Sequence, residues 1–393
     1  MIYQIPELPE FCSQLTEQIE NLRKQLNYAT SDNLNRWTGF LARMSYARAI
    51  HGSNTMEGIN ATLEDAVNAI DGEPPPNPKD ENWLALTGHR DAMDYVIQLS
   101  KEPNYSHNEG TLLGLHFMMM KYDLSKYPGR YRPGPIHVTH MPSGRTVYEG
   151  PDFELVPDLM DELIDSLNAK NNCSVIIRAA MAHLNLAMIH PFKDGNGRMS
   201  RALQTFVLAR EGILDPRFSS IEEYVGSNTL EYYDVLSKVG RGQWNPQHDA
   251  LPWIKFCLKA HYYQAQTLLK RVQQTDALWE KLEKEVERRR LPVRTMFALM
   301  NAAVGMRVRN PVYRTETEVS HQVAKLDLKR LIAEGLLVAK GEKRGRVYLA
   351  SDYLAELRNQ SKITREIADP FGEETPPPKA KGQLDLLITK QGY

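Results

Sequence analysis

The sequence predicts a mainly α-helical protein with one central β-hairpin and a small α+β domain near its C-terminus. Apolar residues recur at helical spacing early in the chain, as at Leu15, Ile19 and Leu22. Residues 175–190 are strongly apolar and almost free of helix breakers, which predicts a buried helix. Two short runs of strand-forming residues flank a Pro/Gly turn within residues 136–148, which predicts the hairpin.

The remaining elements follow from the same periodicity and from breakers. Four prolines within residues 74–78 mark a clear break after the N-terminal helices. Residues 292–351 form a smaller unit in which helices precede two short strands, beginning at Pro292. Further helices are predicted, in chain order, at residues 34–56, 109–120, 156–167, 200–211 and 253–290.

Composition and charge are those of an ordinary globular protein. The chain has 393 residues, a formal net charge of −1 and 42% apolar residues, so no chain-wide field favours nucleic acid or membranes. The scattered Cys12, Cys173 and Cys257 suit buried thiols in a reducing compartment. No run approaches the ~20 apolar residues of a membrane span, and residues 1–10 do not form a signal peptide. We therefore expect a cytoplasmic enzyme or regulator that does not contact a membrane.

The run from His190 to Arg201, HPFKDGNGRMSR, concentrates groups that bind phosphate. Gly195, Asn196 and Gly197 can turn the chain with their N–H groups inward, which forms an anion-binding nest. The helix that follows adds its positive N-terminal end. Arg198 and Arg201 lie three residues apart, and both can reach phosphate oxygens.

The same run supplies catalytic chemistry. Asp194 places one carboxylate beside the nest, and a single carboxylate next to phosphates is a usual arrangement for Mg²⁺. His190 precedes it by four residues, and a neutral imidazole there can remove a proton from an attacking hydroxyl. A base, a metal ligand and an anion cradle together indicate phosphoryl or nucleotidyl transfer rather than a purely structural turn.

At these residues the sequence resembles the Fic family, whose signature HxFx(D/E)GNGRxxR is matched at every fixed position. The resemblance implies helices around a helix–loop–helix core. It also implies transfer of AMP from ATP to a Ser, Thr or Tyr hydroxyl of a target protein, with release of pyrophosphate. Relatives that transfer another group carry lysine at the second glycine, so Gly197 favours AMP transfer.

The resemblance assigns a role to each site residue. His190 would be the base, Phe192 would anchor the loop in the core, and Asp194 would bind Mg²⁺ between the phosphates of ATP. A Tyr-Tyr pair lines the nucleotide pocket in relatives. The residues implied to contact the nucleotide are Lys193, Asp194, Gly195, Asn196, Gly197, Arg198, Arg201, Tyr232 and Tyr233.

The hairpin lies where the family places its flap, which clamps the target segment by adding it as a strand. We therefore expect Arg145, Thr146 and Val147 to contact the target. The preceding Tyr131 and Arg132 fit the family's Gly-x-Tyr-Arg pattern.

Residues 53–58, SNTMEG, match the family's inhibitory pattern (S/T)xxxE(G/N). The resemblance implies that Glu57 pairs with Arg201 and occupies the cation that the γ-phosphate of ATP needs. Ser53 would hydrogen-bond within its helix and steady it. The alternative is that Glu57 is a solvated acid before a glycine cap. Whether the same glutamate also serves removal of AMP, making the enzyme bifunctional, stays open.

The C-terminal unit resembles a winged helix, with its main helix after Ser320 and wing strands at Val338 and Val347. Residues 294–346 contain 11 Lys/Arg against 5 Asp/Glu, which is compatible with phosphate contacts. Winged helices also bind proteins, so DNA is one of two candidate partners.

The leading hypothesis is an autoinhibited protein adenylyltransferase that modifies a target protein and itself. The alternatives are a DNA-binding regulator with a sensing or self-modifying Fic core, and a toxin–antitoxin component. Some relatives dimerise, so by analogy a homodimer is possible for this chain.

These observations divide the chain into five segments. They are an N-terminal helical region, 1–108, with an inhibitory helix at about 43–58; a Fic core, 109–260; a connecting helix, 261–291; a winged-helix-like domain, 292–351; and a partly disordered tail, 352–393.

Overall fold

The computed structural model describes residues 1–31, 37–140, 145–169, 172–342, 345–372 and 387–391, with only the backbone at 140, 145 and 387–391. It is predominantly helical, as predicted. Among the described residues, no helix combines the length and apolarity that a bilayer crossing requires. Of the tail, 352–393, for which partial disorder is expected, residues 373–386 and 392–393 lie outside the described residues.

Side-chain caps fix where three of the first five described helices begin. Thr62 and Asp65 form a reciprocal capping box at the start of the third helix. Asp80 caps the helix that follows the proline-rich break, and Asn108 caps the next one. The helices are α1 Glu10–Thr30, α2 Thr38–Thr55, α3 Leu63–Asp71, α4 Glu81–Ser100 and α5 Glu109–Met120.

The centre of the molecule is the helix–loop–helix of α7 and α8, which pack along each other. Nearly every residue of both helices is buried, because neighbouring helices cover them on all sides. Phe192, in the loop between them, is fully buried in the same core. The core helices are α6 Val156–Asn168, α7 Val175–Ile189, α8 Asn196–Arg210, α9 Pro216–Ser219, α10 Glu222–Ser227 and α11 Thr229–Gly240.

The predicted hairpin forms from β1, Ile136–His140, and β2, Arg145–Glu149, which pair antiparallel. We call this hairpin the flap. The other edge of β1 pairs antiparallel with β5, Leu387–Gln391, so the sheet order is β2-β1-β5. A segment from the far end of the chain therefore lies as a third strand on the flap.

One helix, α12 Leu251–Arg288, joins the core to the C-terminal unit. It begins ten residues before the predicted connector, and its first half packs in the central core. The C-terminal unit has its own core around Leu299, Tyr313 and Leu328. Its elements are α13 Met296–Ala303, α14 Asn310–Thr317, α15 His321–Ala333, β3 Leu337–Lys340, β4 Val347–Ala350 and α16 Asp352–Asn359.

Residues 352–359, which the sequence analysis placed in the tail, form helix α16. Leu354 of this helix is fully buried in the core of the C-terminal unit. The helix is short and mostly polar, so its apolar pattern is too weak to recognise without the surface on which it packs.

Helix α2 packs closely on α10 because glycines face each other at the contact. A Cβ atom built on Gly52 would lie 2.6 Å from the carbonyl oxygen of Glu222, and one built on Gly226 would lie 2.8 Å from the Cα of Gly52. By contrast, nothing lies within 4 Å of a Cβ built on Gly39, also in α2. The backbones of α2 and α10 therefore touch at Gly52.

We expect Gly52→Ala to lower the free energy of unfolding by about 1–3 kcal/mol, because the added methyl meets backbone atoms that cannot turn away. Gly39→Ala is the matched control in the same helix. It should leave stability unchanged or raise it by up to about 1 kcal/mol, the helix preference of alanine over glycine. Urea unfolding followed by circular dichroism measures both. Equal stability of the two variants would refute the close contact.

Candidate active site

The loop between α7 and α8 is held in shape by its own polar groups. His190 ends α7 in the left-handed region at φ 52°, and Gly195 precedes α8 at φ 79°. The Asn196 side-chain amide bonds to both the N–H and the carbonyl of Phe192, each at 2.8 Å. Asn196 therefore closes the loop with its amide. The nucleotide contact predicted for Asn196 would therefore be made by its backbone N–H, at the start of α8.

A stack of two rings anchors the loop to α5. The Phe192 ring lies 3.7 Å from the His116 ring, nearly parallel to it. His116 Nδ1 accepts a hydrogen bond from the Gly129 N–H, so Nε2 carries the proton and donates to the Asp194 carbonyl. Burial lowers the pKa of His116 to about 4, so this ring is neutral. The predicted role of Phe192 as an anchor agrees with this arrangement.

Arg132 fastens the other side of the loop. Its Nε donates to the His190 carbonyl at 2.9 Å, and its Nη1 and Nη2 donate to the carbonyls of Gly134 and Pro151. The guanidinium is almost fully buried. Because all its partners are backbone carbonyls, Arg132 fixes the backbone that presents His190.

A cavity of about 410 Å³ opens at this loop. Its walls come from α11, the flap and the residues after α2, as well as from the loop. Most of the residues predicted from the sequence line it. They are Glu57, Val147, His190, Asp194, Gly195, Asn196, Gly197, Arg201, Tyr232 and Tyr233.

His190 has the protonation and direction that a general base needs. Its Nδ1 lies 3.1 Å from the Ala187 carbonyl, which can only accept, so Nδ1 carries the proton. The lone pair is then on Nε2, a buried atom without a hydrogen-bond partner in the described part of the chain. Burial is the main cause that lowers the pKa of His190 to about 4. The imidazole is therefore neutral at physiological pH and available to take a proton.

Asp194 faces the cavity beside the N-terminus of α8. Its Oδ1 accepts from the Gly195 N–H at 2.6 Å, and its Oδ2 lies 3.3 Å from Lys126 Nζ. In the described part of the chain, no group of three or more His, Cys, Asp or Glu could hold a metal ion. One carboxylate fits Mg²⁺, which takes its other ligands from phosphates and water.

Arg201 is fully buried, and three acceptors from the α2 end surround it. Its Nε donates to Ser53 Oγ at 2.7 Å, and its Nη2 donates to the Ser53 carbonyl at 2.9 Å and to Glu57 Oε1 at 2.6 Å. Burial works to lower the pKa of Arg201, but the Glu57 carboxylate outweighs it and raises that pKa. We call Ser53 and Glu57 the brake.

Two details of the brake differ from the expectation. Ser53 was expected to bond within its own helix, but it binds Arg201 instead. Glu57 was placed within the inhibitory helix, but α2 ends at Thr55 and Glu57 lies in the turn that follows. The Glu57 carboxylate therefore reaches Arg201 of α8 from this turn.

The Glu57 carboxylate lies directly over Gly197. A Cβ atom built on Gly197 would lie 2.2 Å from Glu57 Oε1 and 3.0 Å from Arg201 Nη1. Nη1 itself is buried and has no hydrogen-bond partner among the described residues. The site therefore holds an unused guanidinium donor next to the anion-binding helix terminus.

Two predicted nucleotide contacts do not line the cavity. Arg198 is buried behind the loop, where it donates to the Tyr122 hydroxyl at 3.2 Å and contacts Met120 Sδ. Lys193 places its Nζ 4.9 Å from the centre of the Tyr127 ring. Arg198 thus contributes positive charge from behind rather than from the cavity surface, because α5 and the residues after it cover its guanidinium.

The tyrosine pair lies at the cavity wall, and buried polar groups position it. The Tyr232 hydroxyl is 3.0 Å from His183 Nε2, whose Nδ1 lies 2.6 Å from Gln204 Oε1. The Tyr233 hydroxyl donates to the Met56 carbonyl at 3.4 Å, which ties α11 to the residue before Glu57. His183 therefore packs in the core and orients Tyr232.

The three flap residues that were predicted to contact the target differ in their relation to the cavity. Val147 lines the cavity, Thr146 is exposed, and the side chain of Arg145 lies outside the described residues. Tyr148, which the sequence analysis did not select, lines the cavity and donates to the Met188 carbonyl at 2.7 Å. A Cβ on Gly240 would lie 3.1 Å from the Tyr148 ring, so this ring packs against the backbone at the end of α11.

The sequence analysis did not select a group of buried polar residues that lies behind Ser53 and Glu57. The fully buried Glu222 of α10 lies 3.8 Å from His89 Nε2, and burial raises its pKa to about 7. Asn54 joins His89 Nδ1 to the Ile50 carbonyl of α2. Adjacent acids at 222 and 223 in a short helix gave no signal, because similar pairs occur on most solvated helices.

Comparison with known proteins agrees with the motif. Residues 106–208 match the sequence model of the Fic/DOC family. "Protein adenylyltransferase fic-1" of Caenorhabditis elegans is 32% identical over 128 residues, which cover 32% of this chain and 22% of that protein. "Protein adenylyltransferase Fic" of Nematostella vectensis is 22% identical over 262 residues, which cover 64% of this chain and 55% of that protein. The matches thus span about a fifth to about half of these curated relatives.

A solved structure extends the likeness of the fold. A Fic family protein from Desulfovibrio desulfuricans G20 superposes with a TM-score of 0.58 at 22% identity, covering 89% of this chain and 99% of that chain. At this identity the likeness concerns the fold alone.

The buried histidines predict how stability depends on pH. Burial lowers the pKa of each of them below the ordinary value of 6.5, to about 3 or about 4, so the unfolded chain binds more protons than the folded chain below pH 6.5. The contribution of these histidines to the free energy of unfolding is therefore fully present above pH 6.5. It falls between pH 6.5 and about 4, by up to about 1.4 kcal/mol per pH unit for each histidine. These residues are His89, His107, His116, His183, His190 and His261.

Glu222 acts in the opposite direction, since its raised pKa lets the folded chain keep a proton up to about pH 7. One carboxyl does not offset six histidines, so we expect a net loss of stability on acidification. Urea unfolding at pH 7.0, 6.0 and 5.0 measures it. A free energy of unfolding that is constant across this range would contradict the neutral state assigned to these rings.

Proposed function

Because residues 106–208 make this chain a Fic-family protein, we propose that it is an autoinhibited protein adenylyltransferase. It would transfer AMP from ATP to a hydroxyl of a Ser, Thr or Tyr side chain on a target protein, and to itself. The observation that carries the proposal is the cavity in which a neutral His190, the N-terminus of α8 and Arg201 meet, with Glu57 over Gly197.

The reaction follows from the groups that line the cavity. His190 Nε2 takes the proton of the target hydroxyl, whose oxygen attacks the α-phosphorus of ATP. The bond from the α-phosphorus to the bridging oxygen breaks, and pyrophosphate leaves with that electron pair. The first-turn N–H groups of α8 and the guanidinium of Arg201 stabilise the negative charge on the phosphates.

The nucleotide fits the walls on both sides of the motif. Tyr232, Tyr233 and Leu236 of α11 offer an apolar face for the adenine, while Gly195 and Gly197 allow phosphates to approach the backbone. Mg²⁺, held by Asp194 together with the phosphates, would neutralise part of their charge. Lys126 now pairs with Asp194, so its Nζ has to move aside for the ion or contact a phosphate itself.

The brake acts both by neutralising a charge and by occupying volume. Glu57 neutralises Arg201 and occupies the volume over Gly197 that a phosphate needs. A phosphate entering there meets a carboxylate instead of a free guanidinium, and like charges repel. The unused Nη1 of Arg201 supports this reading, because it is a buried donor that a phosphate oxygen would satisfy.

The flap supports recognition of the target as an added strand. The pairing of β5 on β1 indicates that this edge accepts an extended segment. A target that uses the same edge has to displace residues 387–391. The edge of β1 also carries Val138 into the cavity wall, so a strand bound there passes close to His190.

A second candidate function rests on the C-terminal unit, for which we propose DNA binding. Helix α15 begins at the N-cap Ser320 and exposes Lys325 and Lys329 on its outer face. Val308 adds a backbone bridge to Tyr348 of β4, which extends the small sheet as in a winged helix. The wing tip was predicted at residues 342–346, of which Lys343 and Arg344 lie outside the described residues.

We expect Glu57→Gly to raise AMP transfer by about tenfold to a hundredfold, the equivalent of one hydrogen bond to a charged group. Transfer of label from α-³²P-ATP to the protein itself and to lysate proteins measures it. Glu7→Gly, which removes an exposed acid, is the matched control and should behave as wild type.

The double variant Glu57→Gly/His190→Ala separates the brake from the chemistry. It should lose transfer by about 10²–10⁴-fold relative to Glu57→Gly, because the general base is gone. Equal transfer by wild type and Glu57→Gly would exclude the brake, while full transfer by the double variant would exclude His190 as the base.

For DNA binding, the full chain should shift random duplex DNA at low salt, and Lys325→Gln/Lys329→Gln should weaken the shift. Each lost phosphate contact should reduce the slope of log affinity against log salt by about 0.9. Lys24→Gln/Lys79→Gln, which removes two exposed lysines elsewhere, is the control. Absence of a shift at low salt would rule this function out.

A further inference from the structure

A second cavity, of about 340 Å³, lies on the side of α2 away from the active site. Helices α2, α12, α13 and α16 and the residues after α16 form its walls. We call it the α2 cavity. One part of its wall is apolar and includes Phe40, Met44, Leu278 and Met300. Its size is in the range of small-molecule sites.

Another part of the wall is positively charged. Among the described residues that line the α2 cavity, four are cationic and none is acidic: Arg48, Arg271, Arg358 and Lys362. Glu223, behind the wall, binds both Nη atoms of Arg271 at 2.6 and 2.7 Å, but lies 3.8 Å from Arg48. Glu223 thus pairs with one of the four cations, and the residues that line the cavity keep an excess of positive charge.

The charges in the α2 cavity are crowded. Burial, followed by the positive charges of Arg271 and Arg358, lowers the pKa of Arg48. Arg358 and Lys362 are exposed at the cavity mouth and can turn towards a ligand. An anion between these side chains would replace repulsion with charge-assisted hydrogen bonds.

Ser45 provides an independent sign of a missing ligand. It lies one turn before Arg48 in α2, it lines the cavity, and it is only 6% exposed. Its Oγ is buried and has no hydrogen-bond partner among the described residues. A serine in a helix can bond to a carbonyl one turn back, so an unsatisfied buried hydroxyl needs an explanation.

We propose that the α2 cavity binds a nucleoside phosphate, and that its occupancy keeps the brake engaged. The phosphates contact Arg48, Arg358 and Lys362 and accept a hydrogen bond from Ser45. The base lies against the apolar wall at Phe40 and Leu278. This site is separate from the cavity at His190, which lies beyond α2 and α8.

The coupling between the α2 cavity and the brake follows from the helices that the ligand would contact. Ser45 and Arg48 belong to α2, which ends two residues before Glu57, whereas Arg358 belongs to α16. The α2 cavity and the pair of Glu57 with Arg201 exist in the same conformation. A ligand that binds this conformation better than one with α2 displaced shifts the population towards it.

Helix α10 links the two sites directly. Glu223 faces Arg48 and Arg271 of the α2 cavity, while its neighbour Glu222 interacts with Ser53 and Arg201. The close backbone contact at Gly52 ties α2 to α10. A displacement of α2 at one site is therefore transmitted to the other. This regulatory part rests on the proposed function, but binding itself does not.

Isothermal titration calorimetry of the full chain at low ionic strength tests the binding, with ADP and inorganic pyrophosphate as probes. Wild type should bind ADP, and Arg358→Gln/Lys362→Gln should weaken that binding by about tenfold or more. Both replaced side chains are exposed, so the fold should survive. Lys24→Gln/Lys79→Gln, with the same change of net charge, should bind as wild type. Pyrophosphate, which lacks the base, should bind more weakly than ADP through the same residues.

Hydrogen–deuterium exchange tests the coupling without any AMP transfer. Saturating ADP should slow exchange in residues 45–57 of wild type, but not in Arg358→Gln/Lys362→Gln. Ser45→Ala should also weaken ADP binding, with the thermal midpoint as a check on its fold. Equal ADP affinity of wild type and Arg358→Gln/Lys362→Gln, or no ADP binding at all, would overturn the site. Binding without protection of residues 45–57 would overturn the regulation. Neither result depends on whether the protein transfers AMP.

Discussion

The state of the active site depends on how one buried cation, Arg201, is neutralised. A guanidinium without solvent exposure must be paired, because an isolated charge is far less stable inside a protein than in water. Here Ser53 and Glu57 supply the acceptors, so the end of α2 is held against α8. Under the proposed function, a nucleotide whose phosphates bind Arg201 has to replace Glu57. Inhibition and substrate binding would then be two ways to neutralise the same charge.

The surrounding structure makes this competition possible by fixing everything else. Arg132, His116 and Asn196 hold the loop from His190 to Gly195 through backbone groups, so the base and the helix terminus do not have to move. The Glu57 carboxylate, by contrast, lies in the turn after α2 and bonds to Arg201. Under the proposed function, activation therefore requires this carboxylate to leave Arg201 while the loop keeps its shape.

How much of the site could be predicted depended on the distance between its parts along the chain. His190, Asp194 and Gly197 lie within eight residues, so their chemistry could be recognised as one pattern, and all three line the cavity. Arg198 belongs to the same pattern, yet it lies behind the loop, because Met120 and Tyr122 cover it from a segment about 76 residues earlier. The spacing of residues in a motif gives their faces on a helix, but not which of those faces another segment will cover.

The sequence by itself determined the helical class, the hairpin and the loop from His190 to Gly195, because local periodicity and contiguous motifs express them. The pairing of Glu57 with Arg201 was implied by the resemblance to a family, not by local pattern. Only the tertiary structure decided that Asn196 binds its own loop, that Ser53 binds Arg201 directly and that Glu222 lies behind the brake. It also decided that Ser45 and Arg48 share a cavity with α16. These contacts join segments far apart in the chain, where partners are selected by packing and burial rather than by local pattern. The match of residues 53–58 to the inhibitory pattern therefore predicted a contact with Arg201, while the fold determined what else touches α2.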